Sequence, residues 1–131
     1  MPVTYEIAGT TITIRMTGVY SPADIRAALV AAIAEPENPE ITGLLFDVRR
    51  SQSIAGRTAD EVRAMAMFLA ANAQHYGRRL AIIAETDAAF GLMRLGAVGV
   101  EQYGVDAQVF RDASEAEAWL KQPAERLTRH R

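Results

Sequence analysis

Residues 43–48, Gly43-Leu44-Leu45-Phe46-Asp47-Val48, and residues 80–84, Leu80-Ala81-Ile82-Ile83-Ala84, are short apolar runs, the first interrupted only by Asp47. A strand with one wet face alternates apolar and polar residues, whereas a run apolar at nearly every position is buried on both faces, as in a parallel sheet covered by helices. These runs predict an α/β fold, and the segments around them say how it is wound. Between them, Thr58 with Glu61 three residues on forms a capping box. Val62, Met65, Leu69 and Ala73 then recur at helical spacing to about Tyr76, and Gly77 ends the helix. After the second run, Thr86 and Asp87 are alternative caps for a helix from about Ala88 to Tyr103, ended by Gly104. Asp106 to Phe110 reads as a short last strand, and Ser114 with Glu117 as the start of a final helix carrying Ala118, Trp119 and Leu120.

Upstream, Val3, Tyr5 and Ile7, then Ile12, Ile14 and Met16, alternate with polar residues around Gly9 and Thr10, which predicts a β-hairpin. Ser21 and Pro22 are an N-cap and first-turn pair with Asp24 behind them. The helix they open buries Ile25, Leu29, Ala32 and Ile33 and runs to about Ala34, before a loop marked by Pro36, Asn38 and Pro39. The order ββαβαβαβα predicts a single α/β domain with a five-stranded, mixed but mostly parallel sheet, only its first strand antiparallel. The domain is expected over residues 1–122, with 123–131, holding Arg126, Arg129, His130 and Arg131, as a flexible basic tail.

Composition narrows the function classes. A chain of 131 residues that is 50% hydrophobic makes one core. A net charge of -2 disfavours nucleic acid as a partner, since phosphate-binding domains carry a basic excess. The absence of Cys removes disulfides, thiolate metal sites and thiol nucleophiles, and fits a cytoplasmic setting. Residues 1–6 lack the basic-then-apolar pattern of a signal peptide, and no run of about 18 apolar residues predicts an integral membrane segment.

Several local runs resemble the STAS, or SpoIIAA-like, superfamily of anti-sigma-factor-antagonist domains, and small bacterial SpoIIAA-like proteins most of all. The resemblance covers roughly residues 41–120. It rests on Gly77, Arg78, Arg79, Leu80, Ala81, Ile82 and Ile83; on Phe90, Gly91 and Arg94; and on Val109, Phe110, Arg111, Asp112, Glu115, Ala116, Ala118, Trp119 and Leu120. It implies βα units stacked in sequence order. If every crossover steps the same way, the helices share one face of the sheet and the other needs a separate cover, for which a partner chain is a candidate. In the sigma-regulating members, the loop after the third strand carries an Asp-Ser-Ser-Gly-like motif with a phosphorylated serine. Here residues 47–58 contain no Asp-Ser pair, and the hydroxyl at the helix start is Thr58, behind Arg57. The phosphoswitch does not transfer residue by residue.

Two constellations remain. The strand-end rim collects Asp47, Arg49, Arg50, Ser51, Ser53, Arg57 and Thr58 from one loop and Glu85, Thr86 and Asp87 from the next, a set able to meet a phosphate or carboxylate beside helix N-termini. The bland alternative makes Asp47 a loop acceptor, Thr58 and Asp87 caps and the arginines solvated, and sequential stacking favours it by offering no crevice. The helix holding Phe90, Gly91, Met93, Arg94, Gly96 and Gly99 is the second, because each interior glycine costs about 1 kcal/mol relative to Ala. Either its flattened face meets a partner helix or an apolar ligand, or it packs tightly on the sheet. Arg94 is expected to reach a carboxylate such as Glu61 or Asp87. Met65, Met67, Phe68 and Met93 suit an adaptable apolar pocket. No serine has a histidine near it in sequence, and two histidines without cysteine make a zinc site unexpected. The expectation is thus a noncatalytic domain needing no metal or cofactor, a protein-interaction module that forms a homodimer and holds a small apolar or amphipathic ligand. The alternative is an anion-binding module or enzyme using Asp47, Arg57 and Asp87.

Overall fold

The computed structural model describes residues 2–35 and 40–122. The loop prolines Pro36 and Pro39 and the basic tail at 123–131 lie outside the described residues. β1 (Val3–Ala8) and β2 (Thr11–Gly18) form the hairpin, turning at Gly9 and pairing Val3 with Met16, Tyr5 with Ile14 and Ile7 with Ile12. There follow α1 (Pro22–Ile33), β3 (Gly43–Ser51), α2 (Ala59–Ala71), β4 (Arg79–Ile83), α3 (Asp87–Glu101), β5 (Asp106–Phe110) and α4 (Ala113–Leu120). The five strands lie in chain order. β1 is antiparallel to β2 and every other pairing is parallel.

Strand alternation sorts the apolar residues onto two faces. Ile12, Ile14, Met16, Leu44, Phe46, Val48, Leu80 and Ile82 meet Ile25 and Leu29 of α1, Ala66 and Leu69 of α2, and Met93, Ala97 and Val100 of α3. Leu45, Ala81 and Ile83 point the other way, under Ala116, Trp119 and Leu120 of α4. The three crossover helices share one face, as sequential stacking implies. The opposite face is covered by the chain's own last helix over β3 to β5, and on β2 that face carries Thr11, Thr13 and Arg15.

Three local expectations shift. α2 ends at Ala71, short of Tyr76, because Asn72 leaves helical geometry and donates from Nδ2 to the Phe68 carbonyl at 2.9 Å. A 3-10 turn, Ala73–Tyr76, follows, and the Tyr76 hydroxyl donates back to the Leu69 carbonyl at 2.7 Å. The cap of α4 is Asp112, upstream of Ser114: its carboxylate accepts the Glu115 N–H at 2.8 Å and the Ser114 hydroxyl at 3.2 Å. β3 runs on to Ser51, past Val48, because its end pairs with Thr17 and Gly18 of β2.

The glycines of α3 have a structural cause. A Cβ on Gly96 would stand 3.3 Å from Val62 Cγ1, and one on Gly99 would stand 3.1 Å from Ala66 Cβ. The flattened face therefore lets α3 close on α2 of the same chain, and that packing offsets the helix-propensity cost. Gly91 meets nothing within 4 Å.

Candidate functional site

The strand-end rim separates into distinct groups. Asp47 and Arg49 leave β3 on the α4 side as a bidentate pair, with Arg49 Nε donating to Asp47 Oδ1 at 2.9 Å and Nη2 to Oδ2 at 2.8 Å. Burial pushes the Asp47 carboxyl up. The Arg49 guanidinium and backbone N–H, with the Arg15 charge alongside, outweigh that and hold it below the usual carboxylate range. Asp87 is paired with Arg111 at 2.9 Å, and Arg111 also donates to the Glu85 carbonyl and lies over the Phe90 ring. Arg50 is exposed. Thr58 caps α2, accepting the Glu61 N–H at 3.1 Å, while Glu61 Oε1 accepts the Thr58 N–H at 2.9 Å. Thr86 caps α3, leaving Asp87 as its first residue. Among the described residues no hydrogen bond or ion pair joins Asp47 and Arg49 to Arg57 or to Asp87. Nor does any ion pair involve Arg94, whose suggested partners Glu61 and Asp87 are taken by Arg57 and Arg111.

Ser51, Ser53 and Arg57 turn inward to the loop before α1. The Ser51 hydroxyl lies 2.6 Å from the Tyr20 hydroxyl and accepts the N–H groups of Ser53 and Ile54, each at 3.2 Å. Ser53 Oγ accepts the Tyr20 N–H at 3.1 Å. Burial raises the Tyr20 phenol above its ordinary value, against the lowering effects of Ser51 and Arg57. Arg57 Nη2 donates to the Tyr20 carbonyl at 2.5 Å, with the guanidinium 5.2 Å from the Tyr20 ring centroid. Arg57 Nη1 stands 3.8 Å from Glu61 Oε2, too far for a hydrogen bond.

Directly below this knot lies a cavity of about 70 Å³ between α1, α2 and the sheet. Its floor is Met16, Phe46, Val48, Leu80 and Ile82, and its walls include Ile25, Leu69 and Met93. Helical spacing explains the wall from α2: Glu61, Met65 and Leu69 share one side, and Val62 and Ala66 beside them line the cavity too while also meeting the α3 glycines. Pro22, Arg57, Glu61, Met65 and Gly96 are the partly exposed lining residues and form its lip. Arg57 and Glu61 are the charged residues of an otherwise apolar lining. Of the four residues suggested for an adaptable pocket, Met65 and Met93 line the cavity, Phe68 packs against the core, and Met67 lies outside.

The family model for SpoIIAA-like domains matches residues 11–121, most of the chain. This protein belongs to the SpoIIAA-like family. A solved structure of an uncharacterised protein of the DUF3478 family with a SpoIIAA-like fold, from Shewanella loihica PV-4, is similar with a TM-score of 0.57 and 18% identity, over 90% of this chain and 91% of that one. No curated protein matches.

For this SpoIIAA-like chain, the sequence pointed to Arg57 but not to its surroundings. Tyr20, Pro22 and Glu61 were not singled out as site residues, although Glu61 one helical turn beyond Arg57 was a legible pairing signal. Met67, Leu95, Val98 and Tyr103 form a separate feature, an exposed apolar ridge beside the α2–α3 contact, 59%, 43%, 51% and 54% exposed. Of the residues suggested for the interaction helix, Met93 faces inward, Gly96 and Gly99 face α2, Phe90 is half-buried beneath Arg111, and Gly91 and Arg94 are exposed. Among the described residues no helix is long and apolar enough to cross a membrane, and no cluster of His, Asp and Glu could hold a metal ion.

Proposed function

We propose that this SpoIIAA-like protein is a noncatalytic module that holds a small apolar or amphipathic ligand between α1, α2 and the sheet. The observation that carries the proposal is the cavity itself, apolar throughout except for the Arg57 and Glu61 lip. An apolar guest gains by removing this lining and its own surface from water, at roughly 25 cal/mol per Å². Three methionines, Met16, Met65 and Met93, line it, and their unbranched side chains adapt to guests of different shape. The noncatalytic reading is supported by Ser51, Ser53 and Thr58, whose hydroxyls are engaged by loop and cap bonds.

Native mass spectrometry of the freshly purified protein tests the proposal. A discrete extra mass is expected on the parent chain and is lost in Val48→Phe, whose ring fills the floor of the cavity. Bare protein that also gains no thermal stability from apolar probes removes the proposal.

A second reading, homodimerisation, is favoured by the ridge of Met67, Leu95, Val98 and Tyr103. Four large apolar side chains grouped on one surface gain by association, and a second copy presents the same ridge across a two-fold axis. Light scattering is expected to give twice the chain mass at micromolar concentration, falling to one chain in Val98→Asp. A single-chain mass for the parent protein ends this reading.

A further inference from the structure

We propose that the ligand is an amphiphile with a carboxylate head, taken up by Arg57 at the lip while its alkyl body fills the cavity. The inference rests on the cavity being a ligand site and adds the chemistry of the head. Arg57 is the charged group best placed for it: its side chain is only 16% exposed, yet its ion partner Glu61 stands at 3.8 Å and is itself 41% exposed. One guanidinium hydrogen bond, to the Tyr20 carbonyl, fixes the orientation of the group. A guanidinium presents five N–H donors in a fork that fits a carboxylate. The loose Glu61 contact leaves that edge weakly held, so a head group bound there gains charge-assisted bonds at small loss.

Glu61 plays the opposing part. One of its oxygens is committed to the Thr58 N–H in the capping box, and the other holds its charge near Arg57. It is therefore a built-in competitor for the guanidinium, and an incoming carboxylate must displace it. A cationic head would be drawn to Glu61 at the same lip but repelled by Arg57, the more buried of the two charges, and so would bind most weakly. An uncharged head would gain only the apolar burial.

Isothermal titration of the delipidated full chain with pentanoate, pentanol and pentylammonium, whose short chains suit a cavity of this size, separates these cases. Pentanoate is expected to bind about tenfold more tightly than pentanol, the scale of one charge-assisted hydrogen bond, and pentylammonium the most weakly. Arg57→Gln is expected to remove the preference for pentanoate while leaving pentanol affinity in place, and Arg57→Lys to keep part of it. Glu61→Gln preserves the capping box, since glutamine serves at that position, and is expected to tighten pentanoate alone. Pentanol binding as tightly as pentanoate, with both Arg57→Gln and Glu61→Gln silent, overturns the carboxylate assignment and leaves the cavity reading standing. Failure of all three probes to bind overturns both.

Discussion

At the residue scale, Gly91, Gly99 and Gly77 show why one residue type carries three different meanings. Gly91 is exposed with open space around it, so Gly91→Ala is expected to stabilise the protein by about 1 kcal/mol in urea titration. In Gly99→Ala the same propensity gain is opposed by the Ala66 methyl at 3.1 Å, and the variant is expected to fall short of Gly91→Ala. Gly77 has φ +71, and any Cβ there would stand 2.8 Å from the Thr42 backbone, so Gly77→Ala is expected to cost about 3 kcal/mol or more. From sequence all three were legible as glycines at helical positions or ends. What lay opposite them was not, because that depends on how closely α2 approaches α3 at Gly99 and the segment before β3 approaches Gly77. Asp47 behaves similarly. It stood out in an apolar run, but its partner Arg49, two residues on, is on the same face only because β3 continues past Val48. Its folded pKa lies below the free value of about 3.9, so the pairing contributes stability that is complete above that value and is lost as pH falls through the folded pKa. Asp47→Asn is therefore expected to be less stable than the parent at neutral pH and to lose less stability during acid titration followed by circular dichroism.

At the element scale, the contrast is between α4 and the crossover helices. Periodicity and caps placed α1, α2 and α3 within a few residues, and right-handed crossovers put them on one face. The side taken by α4 could not be read, because among the described residues no strand follows it to constrain the crossover. The structure shows what holds it. Arg79, at the start of β4, donates from Nη2 to the Trp119 carbonyl at 3.0 Å and from Nη1 to the Gln122 carbonyl at 2.6 Å, and its guanidinium lies 4.2 Å from the Trp119 ring centroid. The Trp119 carbonyl belongs to the last turn of α4 and the Gln122 carbonyl to the chain just past it, so a buried cation closes the end of α4 against the sheet. Arg79→Met keeps the aliphatic stem but removes these bonds and leaves Asp106 without the cation 3.7 Å away. A loss of about 3 kcal/mol is expected, as for breaking a buried ion pair. Trp119 is the sole tryptophan, so its emission is expected to shift to the red at denaturant concentrations where the far-ultraviolet signal is still intact.

At the scale of the whole molecule, the sheet separates two functions of its faces. The α4 face is closed by the chain itself, while the seam between α1 and α2 holds the cavity, because α1 packs far more sparsely on α2 than α3 does. The overall architecture was legible from the two doubly buried strands, but the cavity was not. Its lining comes from seven separate segments, and a void is a property of how they fail to meet. A ligand that fills it is expected to raise the melting temperature of the parent protein and leave that of Val48→Phe unchanged. The strand order has another consequence. Each parallel strand pairs with the one made just before it, so no pairing waits for a distant part of the chain. Such local wiring favours rapid folding and lets the sheet grow one unit at a time as the polypeptide leaves the ribosome, with α4 the last piece to settle.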